Sequence, residues 1–425
     1  MDRWLNYFCI VIVSGCCAGL TVQAEHWPQW RGPDFNGAAD AKNLPHTWSQ
    51  TENMRWIANL PGESAATPII WGDKIFVASR DERSGDLLGL CLNAKTGTEI
   101  WRKTLGVDPG GNRRQNMASP SPVTDGEHVF FLFGSGDFAG LTLDGEILWQ
   151  RNLTKEMGRL SVQFGYASSP LLYKNKLYLV VLQRNPASYL IAMDPKTGEN
   201  IFKHERASDA KAESLEAYTT PIPLNVDGRE EIIIFGADYA TGHHPDAGEE
   251  IWRWGGYNPL KVGHWRIVPS PVAGGGHIYV AAPKREPLFA IKAGATGTVG
   301  DDHIAWSFKQ SPPDVCTSAY HDGHLYVLDG DRHVMTKLNA KSGEVVWQGN
   351  LDSNVVMRAS PTIADGKIYA HNENGMFYVM QDGDEFKLLS QIDMGEAPVR
   401  SSFAFGDDYF LIRTGQRLYC VAKQP

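Results

Sequence analysis

A turn followed by an aromatic-bearing strand returns so often in this chain that it limits the architectures available. Asn93-Ala94-Lys95-Thr96-Gly97-Thr98-Glu99-Ile100-Trp101 recurs as Asp194-Pro195-Lys196-Thr197-Gly198-Glu199-Asn200-Ile201-Phe202 and as Asn339-Ala340-Lys341-Ser342-Gly343-Glu344-Val345-Val346-Trp347. Shorter copies end at Trp149 and Trp252, and in all five the aromatic stands four residues after the glycine. Glycine permits the positive φ of a tight turn, and Asp or Asn closes it. The aromatic then offers a flat face for packing against the next unit. With Trp56, Trp306 and Leu388 in the same frame, eight slots are spaced 41 to 54 residues apart.

The start of each unit repeats as well. Thr67-Pro68, Ser121-Pro122, Ser169-Pro170, Thr220-Pro221, Ser270-Pro271 and Ser360-Pro361 each precede a short apolar strand, with Ser318-Ala319 and Ser402-Phe403 as degenerate copies. Turns such as Asp322-Gly323 and Asp365-Gly366 lie between apolar runs, a hairpin signal. Each unit therefore holds four short strands, and a unit of this size is a propeller blade. The last unit supplies only three strands, while Arg55–Leu60 reads as an unaccompanied fourth strand near the start. The expectation is an all-β, eight-bladed β-propeller closed by the N-terminal strand completing the last blade, which removes exposed sheet edges. Residues 1–24 read as an export signal, 25–46 as an N-terminal extension and 47–425 as the propeller.

The export signal rests on Arg3, the apolar run Phe8–Val13 and small residues before Glu25. Val13-Ser14-Gly15-Cys16 offers a second reading, a lipobox whose Cys16 would carry the lipid and the only membrane attachment. Beyond the signal stand Cys91, Cys316 and Cys420, too few and too scattered for a disulfide framework. With 40 Lys+Arg against 49 Asp+Glu the net charge is −9, which argues against nucleic acid as a partner. A periplasmic or secreted monomer is expected.

These repeats resemble the quinoprotein-type (PQQ-like) family, in which Ala-x-Asp-x-x-Thr-Gly-x-x-x-Trp marks each blade; Asn93–Trp101, Asp194–Phe202 and Asn339–Trp347 are the best copies. The segment His26-Trp27-Pro28-Gln29-Trp30-Arg31-Gly32-Pro33, with Leu44-Pro45 and Trp48, is similar to the start of exported PQQ-like propellers of planctomycetes, often labelled BamB-like. The resemblance implies one of two functions. The first is a non-catalytic binding or scaffold module for a protein, peptide or glycan in the cell envelope, with no cofactor. The second is a dehydrogenase of alcohols or sugars using PQQ and calcium. Members of that second kind combine a catalytic Asp, a carboxylate and an Asn on calcium, a Trp platform and often vicinal cysteines. Here the adjacent pair is Cys16-Cys17, within the export signal, and Trp265 with Asn258 is the cluster nearest to such a platform. GxSxG, HExxH and P-loop motifs are absent from the sequence. His243-His244 makes a poor metal pair, because strand neighbours point to opposite faces.

Position supplies the candidate site. Residues two before each Ser/Thr step should face one mouth of the central channel: Ala65, Ser119, Ala167, Tyr218, Val268, Cys316, Arg358 and Arg400. Arg266 and His264 lie nearby, Arg113-Arg114 in the loop entering the second unit, and Glu213 and Glu216 in the loop entering the fourth. Guanidinium groups gathered at a concave mouth suit an anionic ligand. Equally, they could pair with Glu213, Glu216 or Glu396 and brace the ring.

Overall fold

The computed structural model describes residues 26–110, 116–185 and 187–424. Strands fill eight separate four-stranded antiparallel blades, and two of these gain a short fifth strand in parallel. Blade 1 holds Ile69–Trp71, Lys74–Arg80, Asp86–Asn93 and Glu99–Val107. Blades 2 to 7 follow in chain order over 123–152, 171–205, 222–254, 272–308, 319–350 and 362–393. Blade 8 contains Ala404–Phe405, Tyr409–Arg413 and Arg417–Ala422, and its outer strand is Met54–Asn59 from the other end of the chain. Trp56 lies opposite Cys420 and Ile57 opposite Tyr419, so the expected closure is present. The export-signal residues, including Cys16, fall outside the described residues, as do Arg113 and Arg114.

Local chemistry explains the blades. Asp322-Gly323 and Asp365-Gly366 both have positive φ at each residue, 44° and 70° in the first and 50° and 64° in the second. Two such residues between antiparallel strands form a turn whose twist matches the strands it joins. Each middle strand is buried on both faces, as in Leu325–Leu328 or Phe377–Met380. The outer strands alternate, with Trp101, Trp149 and Trp347 turned inward.

These indoles join neighbouring blades. Trp56 Nε1 donates to Ala94 O of blade 1 at 2.9 Å, Trp101 to Leu143 O at 3.0 Å, Trp149 to Pro195 O at 2.7 Å and Trp347 to Gly383 O at 3.0 Å. Each of the first three indoles also lies on the turn glycine of the blade it bonds. A Cβ at Gly198 would stand 2.5 Å from Trp149, and its φ is +72°, so sterics and backbone both demand glycine there. Blade 4 departs from the pattern. Its Trp252 donates to the buried Glu231 Oε2 at 2.6 Å, and Gly297–Thr298 of the following blade folds back as the parallel fifth strand. Blade 7 has Leu388 in the aromatic slot. There Trp48, 3% exposed, arrives from the N-terminal segment and packs edge-on against Phe377 of blade 7 and Phe410 of blade 8.

A second ring of contacts runs close to the axis. The N–H of Thr67 donates to Ser121 Oγ, and the same step carries on through Ser169, Thr220, Ser270, Thr317, Ser360 and Ser402, at 2.8 to 3.2 Å. Blade 6 thus uses Thr317, one residue before the step read from the sequence, where no proline marks the register. The ring is not completed between blades 8 and 1, where Thr67 Oγ1 has no partner. Buried Arg413 crosses that junction instead, donating to Ala78 O at 2.6 Å, Gly62 O at 3.0 Å and Ser79 Oγ at 3.2 Å.

The N-terminal extension is part of the wheel. Trp27 exchanges two backbone bonds of 2.9 Å with Ile70 of blade 1, and Pro28 O accepts from Thr124 of blade 2. Asn36 O and Gly37 O accept from Tyr320 of blade 6 and Ile363 of blade 7, and Ala38–Ala39 runs parallel to Thr362–Ala364. Between these anchors Gln29, Trp30, Arg31 and Phe35 pass the inner strands of blades 3, 4 and 5. The segment therefore crosses the channel and plugs it. Arg31 is its pin: buried, it donates from one nitrogen to Pro361 O at 3.0 Å and Ser318 O at 3.3 Å.

Three outcomes test this construction. Trp149→Ala should cost about 3–5 kcal/mol in urea unfolding, as for a large buried aromatic. Deleting residues 47–60 should yield aggregated or unfolded protein; a soluble product with unchanged melting would contradict the closure. Acid should destabilise through His243. Its Nδ1 lies 2.9 Å from Gly248 O and its Nε2 2.9 Å from Thr241 Oγ1, and burial draws its pKa from 6.5 down to about 3. The unfolded imidazole takes a proton near pH 6.5 while the folded one resists until about 3. Stability is thus complete above pH 6.5 and falls across that window. His243→Gln should flatten the acid limb of a stability–pH curve.

Candidate functional site

A cavity of about 670 Å³ occupies the channel on one side of the plug. Its wall is built by the entry to each inner strand. The residues two before each Ser/Thr step all line it: Ala65, Ser119, Ala167, Tyr218, Val268, Val315, Arg358 and Arg400. Val315 replaces the expected Cys316, because the step in blade 6 is Thr317. Cys316 is buried, with Sγ 3.4 Å from Met357 O, and burial pushes its thiol up to about 12. Deeper in the wall lie six hydroxyls of the inter-blade ring, those of Ser121, Ser169, Thr220, Thr317, Ser360 and Ser402. Trp30 of the plug also faces the cavity and forms its floor. The N-terminal segment bonds inner-strand residues three beyond the Ser/Thr steps of blades 1 and 2, so it lies below the cavity. The site is a blind cup.

Three of the predicted arginines stand at its rim, each with a carboxylate. Arg266 Nη1 meets Glu213 Oε1 at 2.5 Å, Arg358 Nη1 meets Asp331 Oδ1 at 3.0 Å, and Arg400 Nε meets Glu373 Oε1 at 3.3 Å. Arg266 also lies over the Phe164 ring, 4.7 Å from its centroid. Both the anion-binding and the bracing geometries are thus present together, although Glu396 pairs with Arg417 rather than with Arg400. Glu216 is fully buried behind the rim. It accepts from Gln163 N at 2.8 Å and Tyr218 Oη at 3.3 Å, and it pairs with Arg184. Tyr218 in turn accepts from Phe164 N at 3.2 Å, and burial raises its phenol far above the usual value.

The remaining candidates do not line the cup. His264 is exposed, and Trp265 is half-buried with its backbone N–H donating to Ser214 Oγ at 2.8 Å. Asn258 is buried in its own loop: its amide donates to Asp238 Oδ1 at 2.7 Å and its oxygen accepts from Val262 N at 2.9 Å. Of the histidine pair, His243 is buried and His244 exposed, on opposite faces as expected.

Sequence reasoning missed Trp30, Glu63, Asn116, Phe164 and Glu373. Trp30 was visible only as part of an N-terminal motif, with nothing to aim it into the channel. Glu63, Asn116 and Trp30 put a carboxylate, an asparagine and a flat indole in one cavity, the combination that a quinone and calcium would require. Of that set Asn116 is already engaged, while the Glu63 carboxylate makes no hydrogen bond or ion pair among the described residues. Asn116 spends Nδ2 on the backbone carbonyl of Glu63 and Oδ1 on Ala118 N, and Glu373 is engaged by Arg400. Among the described residues no cluster of three or more His, Cys, Asp or Glu side chains is placed to hold a metal.

A family model described as outer membrane protein assembly factor BamB matches residues 38–223 and 236–386. Among solved structures, a europium-containing methanol dehydrogenase aligns with a TM-score of 0.69 at 10% identity, over 92% of this chain and 90% of that one. A quinohemoprotein alcohol dehydrogenase from Comamonas testosteroni gives 0.67 at 10% identity, over 94% and 81%. BamB from Moraxella catarrhalis gives 0.60 at 13% identity, over 87% and 99%. At such identities the likeness is one of fold, which catalytic and non-catalytic proteins share. No curated protein sequence matches the chain.

The geometry separates rim from support. Partly exposed ion pairs are worth about 0–1 kcal/mol, so Arg358→Ala should shift the unfolding free energy by less than about 1 kcal/mol. Glu216→Ala leaves the Gln163 N–H and the Tyr218 hydroxyl without their buried acceptor and should cost about 1–3 kcal/mol. Paired urea titrations read the difference.

Proposed function

The chain belongs to the BamB family of PQQ-like propellers, and from that premise we propose that it is an exported, non-catalytic binding module. Its cup receives an anionic portion of a protein, peptide or glycan in the cell envelope. The observation that carries this reading is the placement of Arg266, Arg358 and Arg400 around the mouth of a blind cavity. Two of the three rim pairs are open to solvent, with side-chain exposures of 35% and 28% for Arg358–Asp331 and 43% and 26% for Arg400–Glu373. At that exposure their worth to the fold is small. In each rim pair one guanidinium nitrogen meets the carboxylate, leaving other N–H groups for a ligand. A bidentate contact from a second carboxylate or a sulfate suits those donors.

Export is supported by the N-terminal sequence and by the description of the family model, an outer membrane protein assembly factor. The cup is complete within one chain, consistent with a monomer. In this reading the inter-blade indole contacts are framework, and the cup and its rim meet the ligand.

The test is capture from an envelope fraction by the wild type and by an Arg358→Ala/Arg400→Ala double variant. A partner retained by the wild type and lost by the double variant, with melting temperatures within a few degrees, supports the reading. Equal capture together with a large loss of stability would assign these arginines to bracing.

A further inference from the structure

We infer that the ligand of the cup is the end of an acidic sugar chain, a uronate-bearing oligosaccharide, rather than a peptide. This deepens the binding reading above and rests on it. Four features combine.

The first is the plug. Because residues 26–39 cross the channel through blades 1, 2, 6 and 7, the cavity has one mouth. A linear chain can enter by an end but cannot thread through.

The second is the hydroxyl ring. Each lining hydroxyl accepts one N–H from the preceding blade, and among the described residues those of Ser121, Ser169, Thr220, Thr317, Ser360 and Ser402 donate to no protein acceptor. The wall therefore offers several O–H donors, each with a further lone pair, at one level of the cup. A hydroxyl both donates and accepts, which matches the hydroxyls of a sugar ring.

The third is the floor. Trp30 lines the cavity from the plug and brings an indole to it. A pyranose has the matching construction, apolar C–H faces with a polar edge, and an indole face suits it for the same reason that it suits other flat amphipathic partners. The cavity of about 670 Å³ lies within the range of small-molecule sites.

The fourth is what a peptide would miss. Extended peptides are held by an open strand edge or an apolar groove, and acidic motifs by an arginine cluster alone, with no use for an indole or a ring of hydroxyls. Here the N–H at the entry to most inner strands is already spent on the ring, and the aliphatic lining is small, namely Ala65, Ala167, Val268, Val315, Ala359 and Pro398. The acid of the sugar is called for by Arg358 and Arg400, which belong to adjacent blades and flank one side of the mouth.

The experiment is isothermal titration of the full mature chain with trisaccharides of galacturonate, glucuronate and mannuronate, beside maltotriose and tri-glutamate. At least one uronate should bind with 1:1 stoichiometry, and maltotriose and tri-glutamate at least 10-fold more weakly. Trp30→Leu and the Arg358→Gln/Arg400→Gln double variant should each weaken that uronate 10-fold or more, with circular dichroism confirming the fold. Should Trp30→Leu unfold the plug, Ser360→Ala provides the second variant, with a several-fold loss expected. Binding of tri-glutamate that is lost with the arginines but indifferent to Trp30 overturns the sugar assignment and leaves the anionic cup standing. Failure of all three uronates also overturns the assignment. If envelope capture is in addition insensitive to the arginines, the binding reading falls with it.

Discussion

An indole laid on a neighbour's glycine holds this wheel together. Each blade is a small sheet with two apolar faces and cannot persist alone. The contact of Trp56 with Gly97, Trp101 with Gly145 and Trp149 with Gly198 supplies both the buried area and a directed N–H bond at three successive junctions. Because glycine has no Cβ, the ring sits directly on the turn backbone, and spacing between blades is set by the thickness of an indole. The hydroxyl ring repeats the same logic near the axis with a shorter reach. Together the two rings restrain most junctions at both their outer and inner ends.

The exceptions show what the constraint demands. Where the repeat loses its aromatic at Leu388, Trp48 enters from elsewhere in the chain and fills the junction with Phe377 and Phe410. Where the hydroxyl ring is left incomplete at blades 8 and 1, Arg413 laces the seam with three bonds. Both substitutions fall beside the blade built from two distant pieces of chain. That blade has no covalent continuity to hold it, so additional side chains take up the task.

The same N-terminal segment that supplies Trp48 also creates the cup. A propeller channel without a plug is open at both ends. Arg31, pinned to the carbonyls of Ser318 and Pro361, holds Trp30 across the axis and leaves one mouth. Gly37 lies against that guanidinium so closely that any side chain there would collide with it. The motif around Trp30-Arg31-Gly32 is therefore a structural stopper whose upper face belongs to the site. Its dual role explains why a candidate ligand platform sits in a stretch that resembles no blade.

Much of the fold was legible in the sequence because a propeller is a periodic object. Aromatics four residues after glycine, Ser/Thr-Pro steps and Asp-Gly turns each report local geometry, and their recurrence counts the blades. Position along the repeat also placed Tyr218, Arg358 and Arg400 on the cavity wall, since equivalent residues face equivalent directions. Blade 6 slipped by one residue because neither Thr317 nor Ser318 is followed by the proline that fixes the register in six of the blades, and two adjacent hydroxyl residues offered the step. The loop residues fared worse. Asn258, His264 and Trp265 fall away from the cup, and Glu63, Asn116 and Glu373 arrive in it, because irregular segments follow no period. What the sequence alone determined is the number of blades, their closure and the ring of residues facing the channel, all consequences of local turn chemistry repeated in order. Only the tertiary structure decided that the channel is blind and that Trp30 is its floor, because those facts depend on where a non-repeating segment crosses the axis among blades hundreds of residues away.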